Sequence, residues 1–187
     1  MRCIVIFLLV ILLMTLCGVG VIRYNLPTMY SDIVDKYGTL YGVKKSLIFA
    51  VIKVESNFEK YAQSEQNAKG LMQLLDNTAI WLNNGNSDIN LFDPSTNIAL
   101  GAKYISYLMH KYENRLVETL AAYNAGEGNV DRWLKRLLHK RTIVKASIDT
   151  REEICLTAQD IPFKETREYV VKVQKYQNYY EKIYNLE

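Results

Sequence analysis

Apolar positions recur every three or four residues along almost the whole chain, the spacing of amphipathic helices. Tyr30, Ile33, Tyr37 and Leu40 predict a first helix, capped by Thr28 and broken at Gly42. Leu47, Val51, Glu55 and Phe58 continue the period in a second helix, where Ile48, Ile52 and Val54 widen the apolar surface. Asp93-Pro94 is a capping residue followed by a first-turn proline. It opens a helix striped by Ile98, Ala102, Ile105, Met109 and Tyr112. Leu116, Leu120 and Tyr123 suit a short helix, Val130, Trp133 and Leu137 another, and Tyr169, Val173, Tyr176, Tyr180 and Ile183 the last. Strand alternation persists nowhere, and the β-branched run Thr142-Ile143-Val144 is too short to build a sheet on. Lys135 to Asp160, basic and then irregular, reads as an insertion. The predicted architecture is all-α.

Cys3 to Ile22 is twenty residues without a charge. As a helix it would span ~30 Å, the thickness of a bilayer's hydrocarbon core. The chain therefore divides into a membrane anchor or signal at 1–23, a tether at 24–29 and a domain at 30–187. Gly18-Val19-Gly20 would serve as a cleavage site if the segment is a signal, and either reading exports the rest of the chain. Beyond this segment only Cys155 remains, so no disulfide can form within the domain. Cys155 reads as a buried or idle thiol.

With 187 residues there is room for one domain of ordinary size. The net charge of +3 includes Arg2 and Arg23, which leaves +1 for the rest. That is too little for a nucleic-acid-binding surface. Two histidines, His110 and His139, make no zinc cluster. Cys-x-x-Cys, phosphate-loop and Gly-x-Ser-x-Gly motifs are all missing. No metal or cofactor is expected.

One residue is out of place on its helix. Glu55 follows Val51 and Leu47 at intervals of four, so its carboxylate points along an apolar stripe. Ser56-Asn57 marks the end of that helix, where the dipole is negative. Burial and dipole both raise a carboxyl pKa, the setting a general acid requires. A salt-bridged or rim-exposed glutamate fits the same periodicity.

Gly70-Leu71-Met72-Gln73-Leu74 follows a polar loop and offers an amide and an adaptable apolar side chain to a ligand, or is simply a helix entry. Ala122-Tyr123-Asn124-Ala125-Gly126 ends a helix in small residues. Tyr123 there is either a partner for an acid or part of the core. The chain's fourteen tyrosines could stack on sugars, but at helical spacing they read as packing, Tyr179, Tyr180 and Tyr184 included. The basic run Lys135, Arg136, His139, Lys140 and Arg141 reads as a solvated face, or as one drawn to an anionic wall or membrane.

Taken in order, five stretches resemble the motifs of the soluble lytic murein transglycosylase family, the goose-type lysozyme-like transglycosylases. They are Glu55-Ser56, SEQNAKGLMQL (Ser64 to Leu74), LFDPSTNIALG (Leu91 to Gly101), AAYNAGEGNV (Ala121 to Val130) and IPFKETREYVVKV (Ile161 to Val173). The resemblance runs from about Tyr30 to Tyr176. Each motif alone is weak, but five in this order are specific. Asp76 departs from the family, which has proline at that position. It is expected to cap a helix beginning at Asn77-Thr78.

The resemblance implies a lysozyme-like fold. It implies Glu55 as the sole catalytic acid/base, with Ser64, Met72, Gln73, Tyr123, Asn124 and Tyr169 lining a glycan cleft. The implied substrate is peptidoglycan, cut between N-acetylmuramic acid and N-acetylglucosamine to leave a 1,6-anhydro end. With the apolar run at residues 3–22 as anchor, the expected location is the extracytoplasmic face of a bacterial cell membrane, or outside it if that segment is cleaved. Two alternatives stay open. One is a hydrolytic muramidase in which Asp76, Glu59 or Glu65 positions a water. The other is a glycan-binding or scaffold module of a wall-spanning assembly.

Overall fold

The computed structural model describes residues 7, 10–15, 18, 20–21, 25–144 and 155–186. Two units emerge, Met1–Ser31 and Asp32–Glu187. In the first, residues 10–15 are helical with exposed side chains. The apolar helix expected over Cys3–Ile22 includes residues 3–6, 8–9, 16–17, 19 and 22, which lie outside those described. Among the described residues, no helix is long and apolar enough to cross a membrane.

Seven helices are described from Ser31 onward: α1 Ser31–Tyr41, α2 Lys45–Glu55, α3 Asp76–Leu82, α4 Pro94–Lys111, α5 Leu116–Ala125, α6 Glu127–Val144 and α7 Lys164–Tyr184, with one 3-10 turn at Ala158–Asp160. The only extended pairing described is two isolated bridges, Gln63 with Lys69 and Lys69 with Leu74.

In α2 every residue from Ser46 to Ile52 is buried. A helix apolar on all sides must be enclosed by others. Its main partner is α7, where Phe49 stacks on Tyr180 with ring centroids 5.3 Å apart and Tyr180 stacks on Tyr184. The buried Ser46 hydroxyl donates to Glu181 Oε1 at 3.1 Å, so the one polar residue of this stretch is satisfied. Helix α5 is the second enclosed helix, buried from Glu118 to Ala122. Glu118 Oε1 accepts the Leu156 amide at 2.7 Å, and Arg115 Nε stands 3.7 Å from the same oxygen.

The cap at Asp93 is as expected: its carboxylate accepts the Thr96 amide at 2.8 Å, and Pro94 takes the first turn. Other elements differ from the sequence reading. Helix α1 starts at Ser31 after a turn through Tyr30, so Thr28 does not cap it. It buries Val34 and Gly38 and leaves Leu40 63% exposed. The reason is close approach: a Cβ on Gly38 would stand 2.9 Å from the Val43 carbonyl, so the glycine side faces inward. Helix α6 runs to Val144, well into the supposed insertion. Its Lys135, Arg136 and His139 are exposed, the polar face of a helix that buries Val130 and Trp133. Residues 145–154 of that segment lie outside the described residues. Cys155 is an exposed free thiol, not a buried one.

Candidate active site

Helix α2 ends at Glu55 because the backbone turns left-handed two residues later, at Asn57 (φ 51°) and Phe58 (φ 67°). Phe58 is buried there beside Phe49. Between them, Ser56 ties the helix end to the next loop: its hydroxyl donates to the Leu71 carbonyl at 2.8 Å. That loop folds back as a pair of narrow bridges, with Lys69 and Leu74 exchanging amide-to-carbonyl bonds of 2.9 and 3.0 Å.

Asn97, fully buried on α4, is the pin of this loop. Its Nδ2 donates to the carbonyls of Lys69 and Leu91, both at 2.9 Å, and its Oδ1 accepts the Met72 amide at 2.8 Å. Gly70 makes the approach feasible. It sits at φ +76°, and a Cβ there would lie 2.2 Å from the Leu91 carbonyl and 2.4 Å from Asn97 Nδ2.

These elements frame a groove of about 560 Å³. Glu55, Ser64, Gln73, Tyr123 and Asn124 line it together, although they come from three separate stretches of chain. Gln73, held at φ 47°, commits its Nε2 to the carbonyls of Ala62 and Gly70 at 3.1 and 2.9 Å. What it can offer a ligand is therefore Oε1, an acceptor. Ser64 Oγ accepts the Ala68 amide at 3.1 Å within its own turn.

Two residues expected in the lining are elsewhere. The Met72 side chain is fully buried beneath the groove, against Gly101, where a Cβ would meet its Sδ at 2.3 Å. Only its carbonyl serves the site, accepting the Tyr123 hydroxyl at 2.8 Å. Tyr169 is buried behind Glu55 and is not part of the groove surface. Its Oη makes no hydrogen bond of ordinary geometry among the described residues, yet it lies close enough to favour the ionised carboxylate of Glu55.

Burial nevertheless dominates at Glu55, which is pushed up to about 7; the Tyr169 hydroxyl opposes this and the negative charge of Glu165 adds to it. Tyr123 and Tyr169 are in turn both raised well above the ordinary tyrosine value, first by burial and next by the charge of Glu55. Glu55 thus shares its surroundings with two neutral phenols, and its carboxyl is only partly ionised near pH 7.

Glu165 and Tyr104 line the groove as well; Glu165 belongs to the closing motif IPFKETREYVVKV but was given no role there, and Tyr104 was not singled out. A helical signal existed for Glu165, which precedes Tyr169 by four residues on α7 and so shares its face. The three carboxylates considered for a second role do not line the groove. Glu59 and Glu65 are exposed, and Asp76 pairs with Lys69 at 2.7 Å. Asp76 is not a cap either: it is the first residue of α3, and Leu75 stands at the cap position. Among the described residues no group of three His, Cys, Asp or Glu side chains could hold a metal ion.

The Tyr123 hydroxyl supplies one bond to a part-buried carbonyl, so Tyr123→Phe should cost about 1 kcal/mol of stability. Urea denaturation measures this, and an unchanged midpoint would mean that the bond contributes nothing.

The sequence model of the transglycosylase SLT domain matches residues 32–144. The soluble lytic murein transglycosylase of Escherichia coli K12 is 31% identical over 160 residues, covering 82% of this chain and 23% of its own length. Membrane-bound lytic murein transglycosylase C of Edwardsiella ictaluri is 32% identical over 168 residues, 82% of this chain and 47% of its own. Among solved structures, an inactive glutamate-to-glutamine mutant of the lytic transglycosylase Slt of Pseudomonas aeruginosa superposes with a TM-score of 0.72 at 32% identity. That match covers 88% of this chain and 26% of the neighbour. The chain thus spans about a quarter of the length of its soluble relatives.

Proposed function

Because the chain belongs to the transglycosylase SLT domain family, we propose that it cleaves peptidoglycan glycan strands between N-acetylmuramic acid and N-acetylglucosamine, with Glu55 as the general acid and base. The observation that carries this reading is a carboxyl held at a pKa of about 7 in the wall of an open groove. The inactivity of the glutamate-to-glutamine mutant of the Pseudomonas aeruginosa relative supports a glutamate in this role.

Protonated Glu55 donates to the glycosidic oxygen, and the N-acetylglucosamine leaves with that proton. The acetamido oxygen of the muramic acid stabilises the positive charge at its own anomeric carbon, so no second enzymic carboxylate is needed. Glu55, now ionised, takes the proton of the C6 hydroxyl of the same sugar. That oxygen bonds to the anomeric carbon as the acetamido oxygen leaves, which closes the 1,6-anhydro ring and restores the acid. Burial keeps the proton on the Glu55 carboxyl before the first step, and the Tyr169 hydroxyl beside it favours the ionised form that takes the second proton. Gln73, Ser64 and Asn124 supply polar contacts to the sugars. Residues 3–22 hold the domain at the outer face of the bacterial membrane.

The first step requires the protonated carboxyl, so murein-solubilising activity should fall as pH rises through about 7. Glu165→Gln removes a negative charge that raises Glu55. The alkaline limb of the profile should therefore move to lower pH in that variant, while activity at low pH persists. Turbidity of murein sacculi followed against pH tests this. A limb that does not move, or moves upward, would contradict the assignment of Glu55 as the titrating acid.

A further inference from the structure

We infer that Trp81 and Tyr107 form a distal glycan subsite that continues the groove and binds an N-acetylhexosamine of the strand away from the cleaved bond. The inference rests on the glycan-cleaving reading above and extends it to a part of the surface that the family motifs do not include.

Two helices carry the groove wall in the same direction. On α3, Thr78 lines the groove and Trp81 follows three residues later; on α4, Tyr104 lines it and Tyr107 follows three residues later. Residues three apart share a helix face, so each helix repeats its contribution one turn, ~5 Å, further along. The rings are continuous. Tyr123 meets Tyr104 at 5.3 Å, Tyr104 and Tyr107 are nearly parallel at 6.4 Å, and Trp81 stands edge-on to Tyr107 at 4.8 Å and to Tyr104 at 6.3 Å.

The outer end of this row is open: Trp81 is 51% exposed and Tyr107 37%. An indole on the surface, set nearly perpendicular to its neighbour, makes a corner with one apolar wall and one polar edge. A β-1,4-linked hexosamine has its substituents in the ring plane and C–H groups on its faces, which matches such a wall. The polar edge is present too. Tyr107 Oη donates to Glu127 Oε2 at 3.1 Å, and Lys111 pairs with both Glu127 and Asp131. Glu127 directly follows Gly126, itself a groove residue. Core packing does not account for Trp81, because the residues that α3 buries are Ala79 and Leu82.

The test uses the full chain with Glu55→Gln, which holds ligand without turnover, and N-acetylglucosamine oligomers from trimer to hexamer as probes. Affinity should rise with oligomer length, and the longer oligomers should change the tryptophan emission. The chain has two tryptophans, and Trp133 is 5% exposed, so the change reports on Trp81. Adding Trp81→Ala should abolish the emission change and weaken the hexamer roughly tenfold, the loss expected of one stacked ring. The trimer's affinity should stay as it was, and Trp81→Tyr should restore most of the gain with length. The inference is overturned if Trp81→Ala leaves the hexamer unaffected, weakens trimer and hexamer alike, or if the parent shows no gain with length. A parent that binds none of the oligomers overturns the glycan-cleaving reading itself, and this inference with it.

Discussion

Glu55→Gln is expected to lose murein cleavage by roughly a thousandfold, the scale set by removing a general acid, and at the same time to become more stable at neutral pH. The two effects share one cause. Burial lifts the Glu55 carboxyl from about 4.5 to about 7, so between those values the folded chain holds a proton that the unfolded chain has released. Stability therefore declines as pH rises through that window and stays lower above it. Gln has the same shape and no charge to desolvate. Above pH 7 the variant should gain about 1–3 kcal/mol over the native chain, and near pH 4 the two should be equally stable. Urea denaturation at the two pH values measures the difference. A variant less stable than the parent at pH 8 would mean that Glu55 is a structural partner and not a strained acid.

Asn97→Ala is expected to be the most damaging single change to the groove. It removes three buried hydrogen bonds at once and strands the carbonyls of Lys69 and Leu91 and the amide of Met72. Each stranded buried group costs about 1–3 kcal/mol, and the cavity adds to it, so a loss of about 3–5 kcal/mol is expected. Activity should fall further than the folded fraction does, because the same loop carries Gln73 and the carbonyl that anchors Tyr123. Denaturant midpoints beside turnover at a temperature where the variant stays folded separate the two. Full activity in the folded variant would show that the groove does not depend on this pin.

How far the structure could be read from sequence depends on the range of the interactions. Asp93-Pro94 and the enclosed α2 are local chemistry, and both are found where the pattern put them. Glu55 stood out because an acid on an apolar stripe is a local anomaly. Met72 was misplaced because Leu71 to Gln73 form a turn, where neither helical nor strand periodicity says which side chain faces inward. Asp76 was misread because its partner, Lys69, lies across a bridge that no spacing rule anticipates. Tyr104 and Glu165 reach the groove from α4 and α7, and only the packing of those helices brings them beside Glu55. The start of α6 was legible in Val130, Trp133 and Leu137, but its continuation was read as an insertion because the charged residues from Lys135 onward, taken in sequence, hid the polar face of one helix.

The central claim is the reaction at Glu55, and the mass of its products tests it most directly. Murein should be digested with the full chain and with Glu55→Gln, and the released muropeptides weighed. Muropeptides one water lighter than their hydrolysed counterparts, absent with the variant, are the predicted result. Products bearing a reducing end would contradict it, assigning the attack to water and directing attention to Glu165 as the group that positions it.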